Sequence, residues 1–193
     1  MPREDELMKE EEVLDEIVDK PMGDNTIREI LPKCPIVLYN ELKKYPHINQ
    51  LLPKVGSYAI ILYQDSPHSG HWTAVLRPTD NQIEYFDSYG KCPDEPLSWS
   101  SPEKQNQLGI HAPYLSNLLK ASGKKLVWNK KKFQKDNDPE ISTCGRHCCF
   151  RIQMMKNRGY NIHQYQKMLE AVKNKTGKDY DELVSIMVSP EAD

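Results

Sequence analysis

Apolar positions fall in blocks whose spacing changes from helical to strand-like and back. Residues 4–19 carry Leu7, Val13, Leu14, Ile17 and Val18 among Glu and Asp, the pattern of a charged helix or arm that Pro21 and Gly23 end. Asp24 or Asn25 caps a short helix running through Leu31, and Pro32 stops it. From Ile36 to Leu52 the apolar residues keep roughly helical spacing, broken by Pro46. The period then shortens. Ser57 to Tyr63 is a continuous apolar run of strand length; Trp72 to Leu76 reads as a second strand and Gln82 to Phe86 as a third. Pro78-Thr79-Asp80-Asn81 is a turn, so the last two strands form an antiparallel hairpin. After Asp87 the chain is loop-like, with Gly90, Pro93, Pro96 and Pro102.

Helical spacing returns at Ala112 to Lys120, which Gly123 stops, and Lys125 to Trp128 reads as a short strand. A helix beginning near Cys144 buries Cys148, Phe150, Ile152 and Met155 and ends at Gly159. The tail from Asn161 to Val188 holds one or two more helices. Strands and helices in separate blocks predict an α+β fold: one domain, residues 24–193, preceded by a charged segment, residues 1–23.

Composition narrows the function classes. Hydrophobic residues are 38% and charged ones 28% of 193, and the net charge of -2 does not describe a globally basic nucleic-acid binder. Five cysteines, an odd number with Cys144, Cys148 and Cys149 clustered beside lone Cys34 and Cys92, do not match a secreted disulfide framework. Free thiols in a reducing, intracellular compartment are expected. No apolar run approaches the roughly 20 residues needed to cross a bilayer. The acidic start, Met1 to Glu6, has no apolar signal region.

The candidate chemistry lies in Ile141-Ser142-Thr143-Cys144-Gly145-Arg146-His147-Cys148-Cys149. Ser142 and Thr143 are residues able to cap the helix that Cys144 begins. Backbone N–H groups and the helix dipole at such a place favour a thiolate and can face an oxyanion. Gly145 lets a substrate approach the backbone. His71 follows a turn and opens a strand, with Trp72 beside it as an apolar wall. Asp87 ends the other strand of the hairpin, so both lie at one end of the sheet and Asp87 can orient the His71 ring. Gln134 is a side-chain donor for the oxyanion. The bland alternatives are a small buried cysteine, a loop-edge histidine, a turn-capping aspartate and an exposed glutamine. A zinc site on His68, His71, His147, Cys148 and Cys149 is the rival chemistry, disfavoured because no Cys-x-x-Cys pair is present. No cofactor or metal is expected.

The ordered set His71-Trp72, Asp87-Ser88, Gln134, Cys144-Gly145 resembles the cysteine-protease superfamily that contains the adenovirus maturation protease and the ubiquitin-like-protein (SUMO) proteases. The resemblance covers roughly residues 55–158. It implies a papain-like, adenain-like fold: a central, mostly antiparallel sheet flanked by helices, with the nucleophile at a helix N-terminus. It also implies the roles: Cys144 attacks a peptide carbonyl, His71 shuttles the proton, Asp87 orients His71, and Gln134 with the Cys144 N–H holds the oxyanion. Two departures stand out. Thr143 precedes the cysteine where SUMO proteases carry aspartate, and the interval from Gln134 to Cys144 is longer than is typical of the family. The cysteines after Cys144-Gly145 are closer to viral members, which implies a capsid-maturation protease acting on a capsid precursor or polyprotein, in the host cytoplasm, a viral factory or the virion. A deubiquitinating or deSUMOylating enzyme, and a silent binding module of the same fold, are the alternatives. Lys120, Lys124, Lys125, Lys130, Lys131, Lys132 and Lys135 form a basic stretch able to touch phosphates, or simply a solvated face. Oligomeric state is not legible.

Overall fold

The computed structural model describes residues 2–136 and 142–188. Met1 and Ile141, named above, lie outside the described residues. Helix α1 spans Pro2–Asp19 and α2 Asp24–Ile30. Strand β1 (Ile36–Leu38) follows, then 3-10 turns at Tyr39–Lys44 and Ile48–Gln50. Next come β2 (Tyr58–Gln64), β3 (Gly70–Thr79) and β4 (Gln82–Phe86). Helices α3 (Pro102–Leu108) and α4 (Tyr114–Ala121) precede β5 (Lys125–Trp128). Three helices finish the chain: α5 (Cys144–Arg158), α6 (Ile162–Thr176) and α7 (Tyr180–Met187).

The five strands form one sheet in sequence order. The fold is α+β, but the sheet is mixed rather than mostly antiparallel. β2–β3 and β3–β4 are antiparallel, while the outer pairs β1–β2 and β4–β5 are parallel. The physical reason lies in the connections. The tight turn at Asp80–Asn81 permits only a hairpin, whereas the long excursion from Phe86 to Lys125 lets β5 return parallel. The stretch from Ile36 to Leu52 is not the expected helix. Its first three residues pair with Ile60, Ile61 and Leu62 at the sheet edge, and the rest coils in 3-10 turns.

The continuous apolar run of β2 has a simple cause: the sheet is covered on both faces. Ile60 and Leu62 face one core with Trp72, Ala74, Leu76, Phe86, Phe150, Ile152, Tyr165 and Leu169, beneath α5, α6 and α7. Ala59, Ile61 and Tyr63 point the other way, to Tyr39, Leu42, Val75, Tyr85, Leu115 and Leu119. Each fully buried Ile or Leu contributes about 1.5–3 kcal/mol of transfer free energy. On the α5 side a buried acid meets a buried base. Glu84 of β4 and Arg151 of α5, both fully buried, meet in a fork with Arg151 Nε 2.7 Å from Glu84 Oε1 and Nη2 2.8 Å from Oε2. Arg151 Nη2 also donates to the Tyr160 carbonyl, and the guanidinium lies over the Tyr165 ring. This pair fixes the helix that carries Cys144 to the central sheet.

Helix α5 ends at Gly159 in the left-handed conformation, as the sequence predicts. The tail divides into two helices, each opened by a reciprocal capping box, Asn161 with Gln164 and Asp179 with Glu182. Helix α1 is folded and packs against α7, burying Leu14 and Val18. No helix among the described residues is long and apolar enough to cross a membrane.

Candidate active site

His71 is placed by a backbone that only glycine can make. Gly70 pairs with Gln64 at φ 151°, and a Cβ there would sit 2.0 Å from the Tyr63 carbonyl oxygen. The imidazole is therefore delivered from a fixed strand start. His71 Nε2 lies 3.1 Å from Asp87 Oδ1, as the hairpin geometry predicts. Asp87 takes Nε2, which leaves Nδ1 as the ring's second nitrogen, and the Cys144 side chain is near enough to act on the imidazole electrostatically. Burial (8% exposed) works against the imidazolium, but the Asp87 carboxylate and Cys144 outweigh it and raise the His71 pKa to about 10. Tyr89 stacks on the ring and Trp99 meets it edge-on, both with centroids at 5.1 Å.

The sign of that shift fixes two pH effects. A histidine whose pKa is raised on folding contributes stability that is full below its unfolded value near 6.5 and is lost as pH rises through about 10. His71→Ala is therefore expected to narrow its deficit in melting temperature as the buffer moves from pH 6 to pH 10.5. An imidazolium needed to protonate a leaving amine also places the alkaline limb of any activity near pH 10. A deficit that stays constant across that range would remove the coupling.

Asp87 is itself held from several directions. Its Oδ1 accepts the Tyr89 N–H at 2.8 Å, and Tyr85 Oη donates to Oδ2 at 3.4 Å. Asn129, fully buried just after β5, grips the Asp87 backbone at both ends: its Oδ1 accepts the Asp87 N–H and its Nδ2 donates to the Asp87 carbonyl. Asn129 does not stand out in the sequence. The only available signal is an asparagine at a strand end, where most asparagines merely make turns.

Gln134 arrives beside the site by its main chain. The Phe133 and Gln134 N–H groups donate to the Ser88 carbonyl, and Ser88 Oγ donates to Gln134 Oε1 at 2.7 Å. With Oε1 accepting that proton, the amide's donating end is Nε2. Gln134 is 2% exposed and lines the same cleft as Cys144, His71 and Trp72.

Cys144 opens α5 as expected, yet the capping differs from expectation. Neither Ser142 nor Thr143 caps the helix; the Thr143 hydroxyl is drawn away to Asp181. Thr143, the N-cap residue, therefore makes no side-chain bond to the first-turn N–H groups. Gly145 has a packing reason: a Cβ there would lie 3.1 Å from Met22 Cβ and 3.3 Å from Trp72 Cδ1. Trp72 is indeed a wall, 5% exposed, and its Nε1 donates to the Met22 carbonyl at 2.9 Å. The strip from Val18 to Gly23 is part of the site in a way the charged-arm reading does not foresee. The Val18 carbonyl accepts the Ser142 N–H, and Pro21, Met22 and Gly23 line the cleft. That cleft, about 680 Å³, is also lined by Tyr89, Leu97, Trp99 and Lys104.

The other polar candidates are placed elsewhere. His147 is buried and turned toward Asp181. Cys148 is buried with its thiol on the Trp72 carbonyl, and among the described residues no three His, Cys, Asp or Glu groups converge on a metal-sized site. Within the basic stretch, Lys131, Lys132 and Lys135 pair with Glu170, Asp136 and Asp179.

No protein-family model matches the sequence. Among solved structures, the central domain of an uncharacterized Legionella pneumophila protein, Lpg1148, superimposes with a TM-score of 0.44 at 18% identity, covering 88% of this chain and 94% of that one. A de-sumoylating protease superimposes at 0.31 with 16% identity, over 85% and 73%. Among curated proteins, uncharacterized protein V9 of Sputnik virophage is 34% identical over 155 residues, 80% of this chain and 86% of the virophage protein. At that identity and over that length, the chain belongs to the family of the virophage protein V9.

Proposed function

We propose that the protein is a cysteine endopeptidase of the adenain-like, papain-like type. One observation carries the reading: a buried imidazole bonded on one nitrogen to a carboxylate shares a cleft with a thiol at a helix start. Asp87 holds the ring in the tautomer and orientation that presents Nδ1 to Cys144. The thiolate adds to a peptide carbonyl, and the oxyanion takes hydrogen bonds from the Gln134 amide and the N–H groups that open α5. His71 gives its proton to the departing amine; it then deprotonates the water that attacks the acyl-enzyme, releasing the acid and the thiolate. Trp72 and Met22 form one wall of the peptide cleft and Trp99 the other. The virophage relative supports a viral setting, in which a capsid precursor is the substrate class. Cleaved capsid precursors against uncleaved ubiquitin-like fusions, with the cut sites sequenced, distinguish this from a deSUMOylating role.

The cysteine inventory gives a direct test. Cys34, Cys148 and Cys149 are buried, and burial pushes each thiol up, Cys34 to about 11. Cys92 is half-buried, and desolvation followed by its Glu95 neighbour raises it too. A haloacetamide probe at neutral pH is therefore expected to label Cys144 ahead of the other four, and labelling should collapse in His71→Ala. Labelling that spreads evenly, or that survives the loss of His71, would favour a silent binding module.

A further inference from the structure

We propose that Asp181 is a positioning residue that sets the distance between nucleophile and oxyanion donor; the proposal rests on the peptidase reading above. Asp181 lies at the start of α7, remote in sequence from every catalytic candidate, and is 1% exposed. Its two oxygens are divided between the two sides of the site. Oδ1 accepts the Thr143 hydroxyl at 2.5 Å and lies 3.0 Å from His147 Nε2. Oδ2 accepts the Lys135 N–H at 3.1 Å. Thr143 directly precedes Cys144, and Lys135 directly follows Gln134. One carboxylate therefore ties the residue before the sulfur to the residue after the oxyanion amide, and His147 adds the first turn of α5 to the same point.

Two physical arguments favour positioning over simple stabilisation. A buried carboxylate costs several kcal/mol to desolvate, and an apolar side chain would fill such a place at no such cost. What the carboxylate supplies is direction, since its oxygens hold three donors, two at the start of α5 and one beside Gln134. It also keeps the Thr143 hydroxyl from capping α5. A threonine cap would accept from the second or third N–H of the helix, a bond that Thr143 does not make here. Asp179 adds a second tie two residues earlier, its carboxylate 2.7 Å from Lys135 Nζ. The long interval between Gln134 and Cys144 then has a mechanical counterpart: its two ends are held by the C-terminal helix rather than by a short connection.

The test is steady-state hydrolysis of a peptide cut by the wild type, beside the rate of Cys144 alkylation by iodoacetamide and a thermal melt. Asp181→Asn puts N–H donors where an acceptor is needed. Thr143→Val removes one hydroxyl at constant volume. Both are expected to lower kcat by about 10- to 100-fold, with KM within about twofold, because small displacements of reacting groups carry such penalties. Thr143→Ser should restore kcat. Wild-type kcat in folded Asp181→Asn and folded Thr143→Val would overturn the proposal, as would losses that vanish when the variants are assayed well below their melting temperature. If Asp181→Asn does not fold, Thr143→Val against Thr143→Ser decides alone. A wild type that cleaves no peptide, but whose Cys144 alkylation is slowed by both substitutions, would retire the peptidase reading and leave the positioning role standing.

Discussion

Replacing Cys144 with alanine is expected to remove peptide hydrolysis, by at least about 10⁴-fold in kcat, while leaving the melting temperature within about 2 °C. The size follows from the step that is lost. Without the sulfur there is no acyl-enzyme, and what remains is whatever the oxyanion donors and binding can give to attack by water, which falls far short of the covalent route. The stability forecast follows from placement. Cys144 is only half-buried and borders the cleft, so a smaller side chain opens no closed cavity. Cleavage of a capsid-precursor peptide followed by chromatography, with a melt on the same preparation, checks both halves. Residual turnover above about one part in a thousand would mean that another group carries the chemistry.

The largest expected loss of stability comes from Arg151. Arg151→Met would leave the Glu84 carboxylate fully buried with its guanidinium gone, and the loss of one partner of such a pair costs about 3–5 kcal/mol. For a chain of this size that is a fall in melting temperature of about 6–20 °C. The double replacement Glu84→Leu with Arg151→Met removes the stranded charge and should recover most of the loss, since apolar pairs of similar volume often match a buried ion pair. Thermal melts of the two singles and the double settle it. Additive losses would mean that the pair is not coupled. Because Arg151 also donates to the Tyr160 carbonyl, a small residue of the deficit should persist in the double variant.

The parts of the fold legible in the sequence are those whose cause is local. Tyr58–Gln64, Gln82–Phe86 and Lys125–Trp128 are short stretches rich in β-branched, aromatic and other apolar residues beside turn residues, and such stretches report strands whatever surrounds them. His71 and Asp87 meet because a tight turn forces the start of one strand beside the end of the next. What was not legible depends on partners far away. Ile36–Leu38 is three residues long, too short to show alternation, and becomes a strand only because Ile60 to Leu62 offers it an edge. The parallel pairing of β5 is set by a path of nearly forty residues, which no window of sequence contains. Asp181 reads as an acid in the first turn of a helix, where acids are common for reasons of the helix dipole. Its burial against Thr143, His147 and Lys135 is a tertiary fact. Thr143 shows the same limit in reverse: a good capping residue locally, recruited elsewhere by a carboxylate it meets only in the folded chain.

The strip carrying the Val18 and Met22 carbonyls bears on the order in which the molecule is made. It is translated before the groups that receive it, Trp72 and Ser142. The cleft that Met22, Trp72 and Cys144 line together therefore cannot be completed until the start of α5 has been translated.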